Sequence, residues 1–295
     1  MVEPIAIRAD IDLAVEQFDG GNEPLVLIMG LGAQMLMWPD AWCAQLADAG
    51  FRVIRFDNRD IGLSSQLPHL GRPRLRNLLR FWERTPPPYT LEDLAMDTVL
   101  LLDALEIDRA HVVGASMGGM IAQVMAIHHG ERIKTLTSIM STPNLWASGP
   151  PKPQAVRALL TPPRDRTPEA AVEQFVNAYR AIESPVHPAD PRWLQALAQR
   201  CVERGSGDDD GVARQSAAIM AGADRRPGLR EVPHPACVIH GALDPLIRPG
   251  GGRQTAEALP SAELLVLDEM GHDLPEPLWG ELTNALVRTA SRAAR

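Results

Sequence analysis

One short segment, from His111 to Met120, constrains the fold of this chain more than any other part of its sequence. Residues 114–118 read Gly-Ala-Ser-Met-Gly and match the G-x-S-x-G pattern of a nucleophile elbow. A short apolar, β-branched run comes before this pattern, and an apolar stretch suited to a buried helix follows it. The segment therefore predicts that Ser116 lies on a tight turn between a buried strand and a helix.

Two glycines flank the serine at the positions where such a turn needs them. A nucleophile elbow strains the backbone at the serine and brings the strand and helix backbones too close for side chains at the flanking positions. Gly114 and Gly118 provide the necessary clearance. A pattern with three fixed positions also occurs by chance, so an ordinary serine in a glycine-rich turn is the alternative interpretation.

Strand and helix patterns alternate on both sides of the elbow. Residues 5–18 alternate apolar and polar side chains, which predicts an antiparallel hairpin at a sheet edge. Further strands are predicted from apolar runs at 25–29, 52–56, 110–113, 133–140, 236–240 and 263–267. Helical patterns are found at 38–49, 91–105 and 275–290. This order predicts an α/β fold with a mostly parallel central sheet and flanking helices.

The alternation stops between residues 142 and 232, where prolines become frequent and helical patterns appear near 168–182, 191–204 and 210–222. We interpret residues 142–232 as a helical cap inserted into a core domain of residues 1–141 and 233–295.

The acidic triplet at 208–210 fits a solvated helix start better than a metal site. Residues 68–88, rich in arginine and proline, predict an exposed loop with one helical turn. The glycine triplet at 250–252 is interpreted as a structural turn.

Charge and cysteine content exclude several classes of function. The net charge of −8, with scattered lysines and arginines, argues against a nucleic-acid partner. No signal peptide or transmembrane segment is visible, so we expect a cytoplasmic protein without membrane insertion. Cys43, Cys201 and Cys237 are too far apart to form a metal site or a disulfide framework. We expect no cofactor and no metal, and the sequence leaves a homodimer open.

Two further residues complete a set that can activate the serine. A serine nucleophile needs a histidine base within hydrogen-bond reach and a carboxylate that orients the histidine. Asp244 and His272 each follow a predicted core strand directly, and parallel strands bring such loops to one edge of the sheet. Among the other histidines, His240 lies inside a buried strand end, so packing is favoured over catalysis. We therefore predict Ser116, Asp244 and His272 as the catalytic residues.

The oxyanion that forms during acyl transfer needs backbone donors aimed at it. In an elbow, the residue after the nucleophile supplies one N–H group, which here belongs to Met117. The second donor should come from the Gly-Leu-Gly loop after the strand at 25–29, with Leu31 as the candidate. A simple tight turn with no catalytic role is compatible with the same residues.

Together these motifs resemble the α/β-hydrolase superfamily over nearly the whole chain. The resemblance rests on residues 29–32, 57–64, 114–118, 240–245 and 271–272. Trp38-Pro39 and the run at 55–62 look most like the aclacinomycin methylesterase-like branch, whose members include carboxylesterases. The resemblance implies an α/β-hydrolase fold and a covalent acyl-serine. Where the family often has His-Gly, this chain has Met29-Gly30, which removes a polar side chain near the site.

These observations predict a serine carboxylesterase that hydrolyses a small to medium hydrophobic ester, a small-molecule substrate, through an acyl-serine intermediate. A lactonase would use the same chemistry on a cyclic ester, and a perhydrolase would replace water by peroxide. The alternative of another class is a ligand-binding receptor that keeps the fold and the pocket without catalysis.

Overall fold

One sheet organises the molecule, and the computed structural model describes residues 2–73, 86–145, 148–205 and 209–293 of it. The strands are β1 (Glu3–Arg8), β2 (Ile11–Phe18), β3 (Glu23–Ile28), β4 (Phe51–Phe56), β5 (Ala110–Ala115), β6 (Ile133–Ile139), β7 (Ala236–Gly241) and β8 (Ala262–Leu267). Their order in the sheet is β1-β2-β4-β3-β5-β6-β7-β8. Strand β2 runs antiparallel to β1 and β4, whereas β3 to β8 are parallel. The predicted edge hairpin and mostly parallel sheet are confirmed.

Helices lie on both faces of this sheet and in a long insertion. The α-helices of the described residues are α1 (Asp40–Asp48), α2 (Leu91–Ala104), α3 (Met117–His128), α4 (Pro153–Leu160), α5 (Pro168–Arg180), α6 (Pro191–Glu203), α7 (Asp209–Ala221), α8 (Arg226–Leu229), α9 (Pro249–Ala258) and α10 (Trp279–Ala293). None of them is long and apolar enough to cross a membrane. Helices α1 and α10 share one apolar cluster, and α2, α3 and α9 contribute to another.

Strand β3 shows why the central strands of the sheet have continuous apolar sequences. Leu25 and Leu27 belong to the cluster that includes Trp42 of α1. Val26 and Ile28 belong to the cluster on the other face, and all four side chains are buried. Because successive side chains point to opposite faces, a strand covered on both sides must be apolar at every position. Burial of each such side chain contributes roughly 1.5–3 kcal/mol relative to exposure.

Helix α2 begins at Leu91, where the predicted helical pattern begins, and Thr90 caps it. The Thr90 side chain accepts a hydrogen bond from the Asp93 N–H at 3.2 Å, and Asp93 Oδ2 accepts one from the Thr90 N–H at 2.8 Å. This reciprocal pair satisfies two of the amide groups that a helix start leaves unpaired. The helix ends at Ala104, one residue before the end of the predicted pattern at residue 105, and Glu106 follows with a positive φ of 56°.

The described chain between β6 and β7 holds five helices, α4 to α8, and no strand. Helices α5, α6 and α7 match the three predicted helical patterns. Helices α4 and α8 were not predicted; both are short and begin beside prolines. The glycine triplet at 250–252, predicted as a turn, belongs to the first turn of α9.

Two predicted features fall partly outside the described residues. Of the predicted loop at 68–88, residues 74–85 are not described, and the remainder begins with a 3-10 turn at Pro68–Leu70. Asp208 of the acidic triplet also lies outside, whereas α7 begins at Asp209.

The three cysteines are free thiols and all are buried. Burial raises the pKa of Cys43 and Cys201 to about 12 and that of Cys237 to about 11. The thiolate is the reactive form of cysteine, so these side chains behave as small apolar groups at neutral pH.

Candidate active site

Ser116 occupies a strained turn between β5 and α3. Its φ of 55° and ψ of −118° lie outside the regions that residues with a side chain normally adopt. The neighbouring glycines allow the turn, since a Cβ at Gly114 would lie 2.0 Å from the Gly118 carbonyl oxygen. A Cβ at Gly118 would lie 1.9 Å from the Ile28 carbonyl oxygen at the end of β3. The predicted strand, turn and helix are therefore present, with no room for larger residues.

Asp244 and His272 meet at the carboxyl ends of β7 and β8. His272 Nδ1 lies 2.7 Å from Asp244 Oδ2, and both side chains are buried. The other carboxylate oxygen, Oδ1, accepts the N–H groups of Leu246 and Ile247 at 2.8 and 2.9 Å. These bonds fix the carboxylate plane so that one oxygen faces the histidine ring.

The environment of Asp244 keeps its carboxylate ionised. Burial alone would raise its pKa, but the charge of His272 and hydrogen bonds from His240 and His272 outweigh burial and lower the pKa to about 2. An ionised Asp244 therefore faces the His272 ring throughout the neutral range. This is the arrangement that holds a histidine in one tautomer and stabilises its protonated form.

His240 contacts the same oxygen of the Asp244 carboxylate as His272 does. The Nε2 atom of His240 is 2.8 Å from the Ile247 carbonyl oxygen and 3.4 Å from Asp244 Oδ2. Its Nδ1 has no hydrogen-bond partner among the described residues. The side chain is fully buried, and its contact with Asp244 was not indicated by the sequence, which favoured a packing role.

A hydrogen bond joins Asp244 and His272, whereas Ser116 forms none with either of them among the described residues. Within the described residues, no hydrogen bond joins Ser116 Oγ to the His272 ring. In ligand-free enzymes such bonds are often long and tighten only when the substrate binds. The side chain of Ser116 lies against the loop after β3, since a Cβ at Gly30 would be 3.1 Å from Ser116 Cβ and 3.5 Å from Oγ.

The two predicted oxyanion donors lie in adjacent loops. Met117 is the first residue of α3, so its N–H lacks an acceptor within the helix. Leu31 lies in a turn closed by a hydrogen bond from the Ala33 N–H to the Gly30 carbonyl at 3.3 Å. The Leu31 N–H donates no backbone hydrogen bond among the described residues. Both amides are therefore free of backbone acceptors next to the serine.

The charged side chains of residues 57–64, which follow β4, are buried, and the sequence did not indicate this. Asp60 forms a two-pronged ion pair with Arg214 of α7 at 2.7 and 2.8 Å, and neither side chain is exposed. Asp57 pairs with Arg204 at 2.6 Å, and Arg59 pairs with Asp97 at 2.5 Å. Such pairs are expensive to break, because one partner alone would leave a buried charge. The signal in the sequence is a charged run directly after a buried strand.

The loop that carries His272 is bound to the insertion. The His272 N–H donates to the Ile182 carbonyl at 2.8 Å, and the Ser184 N–H donates to Asp273 Oδ1 at 3.0 Å. A Cβ at Gly271 would lie 2.5 Å from the Glu183 carbonyl carbon, so only glycine fits between the two segments. The residues after α5 therefore help to hold the histidine loop in position.

Burial raises the pKa of Asp273 to about 7, against about 3.9 in an unfolded chain. Because the folded state binds this proton more tightly, the stability that Asp273 contributes is greatest at low pH and is lost as the pH rises through 7. Relative to Asp273→Asn, the wild type should lose about 3 kcal/mol of unfolding free energy between pH 5 and pH 8. Urea denaturation at the two pH values measures this difference.

The matched control for this prediction is Glu276→Gln, which changes an exposed carboxylate in the same segment. We expect that variant to follow the pH dependence of the wild type. If Asp273→Asn also does so, Asp273 does not titrate near pH 7.

A cavity of about 1000 Å³ borders the histidine loop. Tyr179, Trp193 and Trp279 line it together with Asp273 and Leu274, whereas Ser116 does not. The candidate site lies at Ser116, Asp244 and His272, since acyl transfer needs a nucleophile, a base and an orienting carboxylate and not a large volume. No group of three metal-binding side chains is found among the described residues.

The chain matches a known protein family and several characterised proteins over most of its length. Residues 23–276 match the family described as alpha/beta hydrolase fold. The chain is 28% identical over 288 residues to rhodomycin D methylesterase DauP of Streptomyces sp. (strain C5), covering 88% of this chain and 89% of that protein. It is 29% identical over 264 residues to 3-oxoadipate enol-lactonase 2 of Acinetobacter baylyi, covering 88% and 86%.

A solved structure is similar over the full length. The enol-lactonase from Burkholderia xenovorans LB400 superposes with a TM-score of 0.69 at 27% identity, covering 99% of each chain. The overall arrangement of strands and helices is thus similar to that of a known enol-lactonase over the whole chain.

Proposed function

The chain belongs to the alpha/beta hydrolase fold family, and on that premise we propose that it is a serine carboxylesterase acting on a small to medium hydrophobic ester. The observation that carries this proposal is the buried Asp244–His272 pair, 2.7 Å apart, at the same sheet edge as the strained Ser116. The similarity to a methylesterase and an enol-lactonase supports an ester substrate. The reaction needs no cofactor.

In the proposed mechanism, Ser116 Oγ attacks the ester carbonyl while His272 Nε2 takes its proton. The N–H groups of Leu31 and Met117 stabilise the oxyanion of the tetrahedral intermediate. The protonated His272 then gives its proton to the leaving alcohol, and the acyl group stays on Ser116. Water attacks the acyl-serine with His272 as base, which releases the carboxylic acid and restores the serine. Asp244 remains ionised and orients the ring throughout.

We also propose that residues 142–232 act as a cap that bounds the substrate site. The contacts of Ile182 and Ser184 with the histidine loop support this role on one side. On the other side, Arg204 and Arg214 bind the loop after β4. Access of the ester would then depend on the shape of these helices over Ser116.

A lactonase is the second candidate, because two enol-lactonases are among the similar proteins. Both activities would use the same residues and differ in the substrate that the cap admits. A lactone opens to a single hydroxy acid, whereas an ester separates into an acid and an alcohol.

A substrate panel tests the proposal. We expect turnover of p-nitrophenyl esters from acetate to dodecanoate, with kcat/KM highest for a short or medium acyl chain. Five- and six-membered lactones measured by acid release in a pH-stat compare the two candidates directly. Absence of turnover on every ester and lactone, from a protein that is folded by circular dichroism, would contradict both.

A further inference from the structure

A side chain from the insertion between β6 and β7 forms a hydrogen bond with the turn that carries Leu31. Gln215, on helix α7, is fully buried between two loops of the core. Its Oε1 accepts the Gly32 N–H at 2.9 Å, and its Nε2 donates to the Arg59 carbonyl at 3.0 Å. Because one partner is a donor and the other an acceptor, these bonds also determine which way the side-chain amide is oriented.

The bond to Gly32 acts on the peptide group that follows the proposed oxyanion donor. Gly30 to Ala33 form a turn in which Gly32 has a φ of 67°, a left-handed conformation that favours glycine at this place. The Ala33 N–H fixes the Gly30–Leu31 peptide group, which contains the Leu31 N–H. Gln215 fixes the next peptide group, between Leu31 and Gly32. Both peptide groups next to Leu31 are thereby restrained.

Helix α7 is itself firmly placed against the core. The residue before Gln215 is Arg214, whose ion pair with Asp60 is completely buried. Val212, three residues before Gln215, packs on the Gly30–Ala33 turn. Its Cγ2 lies 3.4 Å from the position that a Cβ at Gly32 would take. The helix therefore gives Gln215 a rigid base, as precise positioning of a catalytic loop requires.

We infer that Gln215 is a positioning residue for ester hydrolysis, which holds the Leu31 turn so that the Leu31 N–H is aimed at the oxyanion. The inference rests on the proposed function. An oxyanion donor stabilises the transition state only if it is placed before the reaction, so a loose turn would lower kcat more than it weakens ester binding. Gln215 touches neither the substrate nor the reacting atoms in this account.

Two substitutions separate this role from a purely structural tie. Gln215→Met keeps the length of the side chain and removes both hydrogen bonds. Gln215→Glu keeps an acceptor for the Gly32 N–H, and because burial favours the neutral carboxyl, its O–H takes over the donor role toward the Arg59 carbonyl. The matched control is Gln174→Met on α5, which removes a hydrogen bond of 2.8 Å to the Ala158 carbonyl elsewhere in the insertion.

We expect Gln215→Met to lower kcat for a p-nitrophenyl ester roughly 10- to 100-fold while KM changes less than about 3-fold. Gln215→Glu should keep kcat within about 5-fold of the wild type, because it still accepts from Gly32. Gln174→Met should not change kcat. A Gln215→Met enzyme with wild-type kcat, or Gln215→Glu as impaired as Gln215→Met, would overturn the inference. If the methionine variant does not fold, Gln215→Asn serves instead, since its shorter amide cannot reach Gly32.

Amide hydrogen exchange of Gly32 gives a readout that does not depend on turnover. We expect slow exchange in the wild type, Gln215→Glu and Gln174→Met, and fast exchange in Gln215→Met. If the wild type hydrolyses no ester, the proposed function fails, and the exchange of Gly32 still decides whether Gln215 holds the turn. If the wild type is active and Gly32 exchanges equally in all variants, only the inference about Gln215 fails.

Discussion

Replacing Ser116 by alanine is expected to lower kcat for a p-nitrophenyl ester by roughly 10⁴- to 10⁶-fold, because no other group can form the acyl intermediate. The substitution removes one oxygen at a partly exposed position and leaves the elbow glycines in place. We therefore expect the variant to fold and to bind the ester with an affinity similar to the KM of the wild type. Steady-state kinetics and calorimetric titration with a slowly reacting ester measure the two quantities.

The matched control is Ser291→Ala, which removes a hydroxyl group from the exposed face of α10. That variant should keep the wild-type kcat and KM. A Ser116→Ala protein that retains even one tenth of the wild-type kcat would show that another residue or a bound water performs the attack. Binding without turnover in the wild type itself would instead favour the ligand-binding receptor.

Replacing Asp244 by asparagine is expected to have the second largest effect, a loss of roughly 10³- to 10⁴-fold in kcat/KM. Asp244 Oδ1 accepts two backbone N–H groups, so the oxygen of an asparagine will occupy that place. The asparagine NH₂ group then faces His272 Nδ1 and donates to it. The proton of the neutral ring must move to Nε2, where it cannot accept the proton of Ser116.

The control for this substitution is Asp268→Asn, in the same loop as His272 but exposed to solvent. We expect it to be fully active.

The pH profile adds a second criterion, because the pKa of Asp244 near 2 means that the carboxylate stays ionised across the neutral range. Protonation of Asp244 therefore cannot account for any loss of kcat/KM between pH 5 and pH 8. An Asp244→Asn enzyme with unchanged kcat/KM would remove Asp244 from the mechanism.

The parts of the structure that could be predicted are those encoded in consecutive residues. An apolar run predicts a strand covered on both faces, as Leu25 to Ile28 show. Gly114 and Gly118 surround a turn where a Cβ would meet backbone atoms at about 2 Å, so the local sequence is sufficient to predict the elbow. The loops of Asp244 and His272 follow parallel strands, and the topology brings them to the same edge.

Long-range polar contacts could not be predicted in the same way. Arg214 binds Asp60 across 154 positions of the chain, and Gln215 binds Gly32 across 183. Nothing in the periodicity of α7 distinguishes these two buried polar residues from solvated ones, because their partners lie on a different element. The contact of His240 with Asp244, in addition to that of His272, was missed for a related reason. A histidine within an apolar strand predicts a packed side chain and gives no sign of a polar partner.

The proposed function requires that Ser116 becomes acylated, and covalent labelling of this serine can establish whether it is the nucleophile. The protein is treated with diethyl p-nitrophenyl phosphate, which transfers a diethylphosphoryl group to an activated serine, and the modified peptide is identified by mass spectrometry. We predict one phosphoryl group per chain, located on Ser116, with no labelling of Ser116→Ala and much slower labelling of Asp244→Asn. Stoichiometric labelling at another residue, or unlabelled protein that still hydrolyses esters in the presence of the reagent, would exclude Ser116 as the nucleophile.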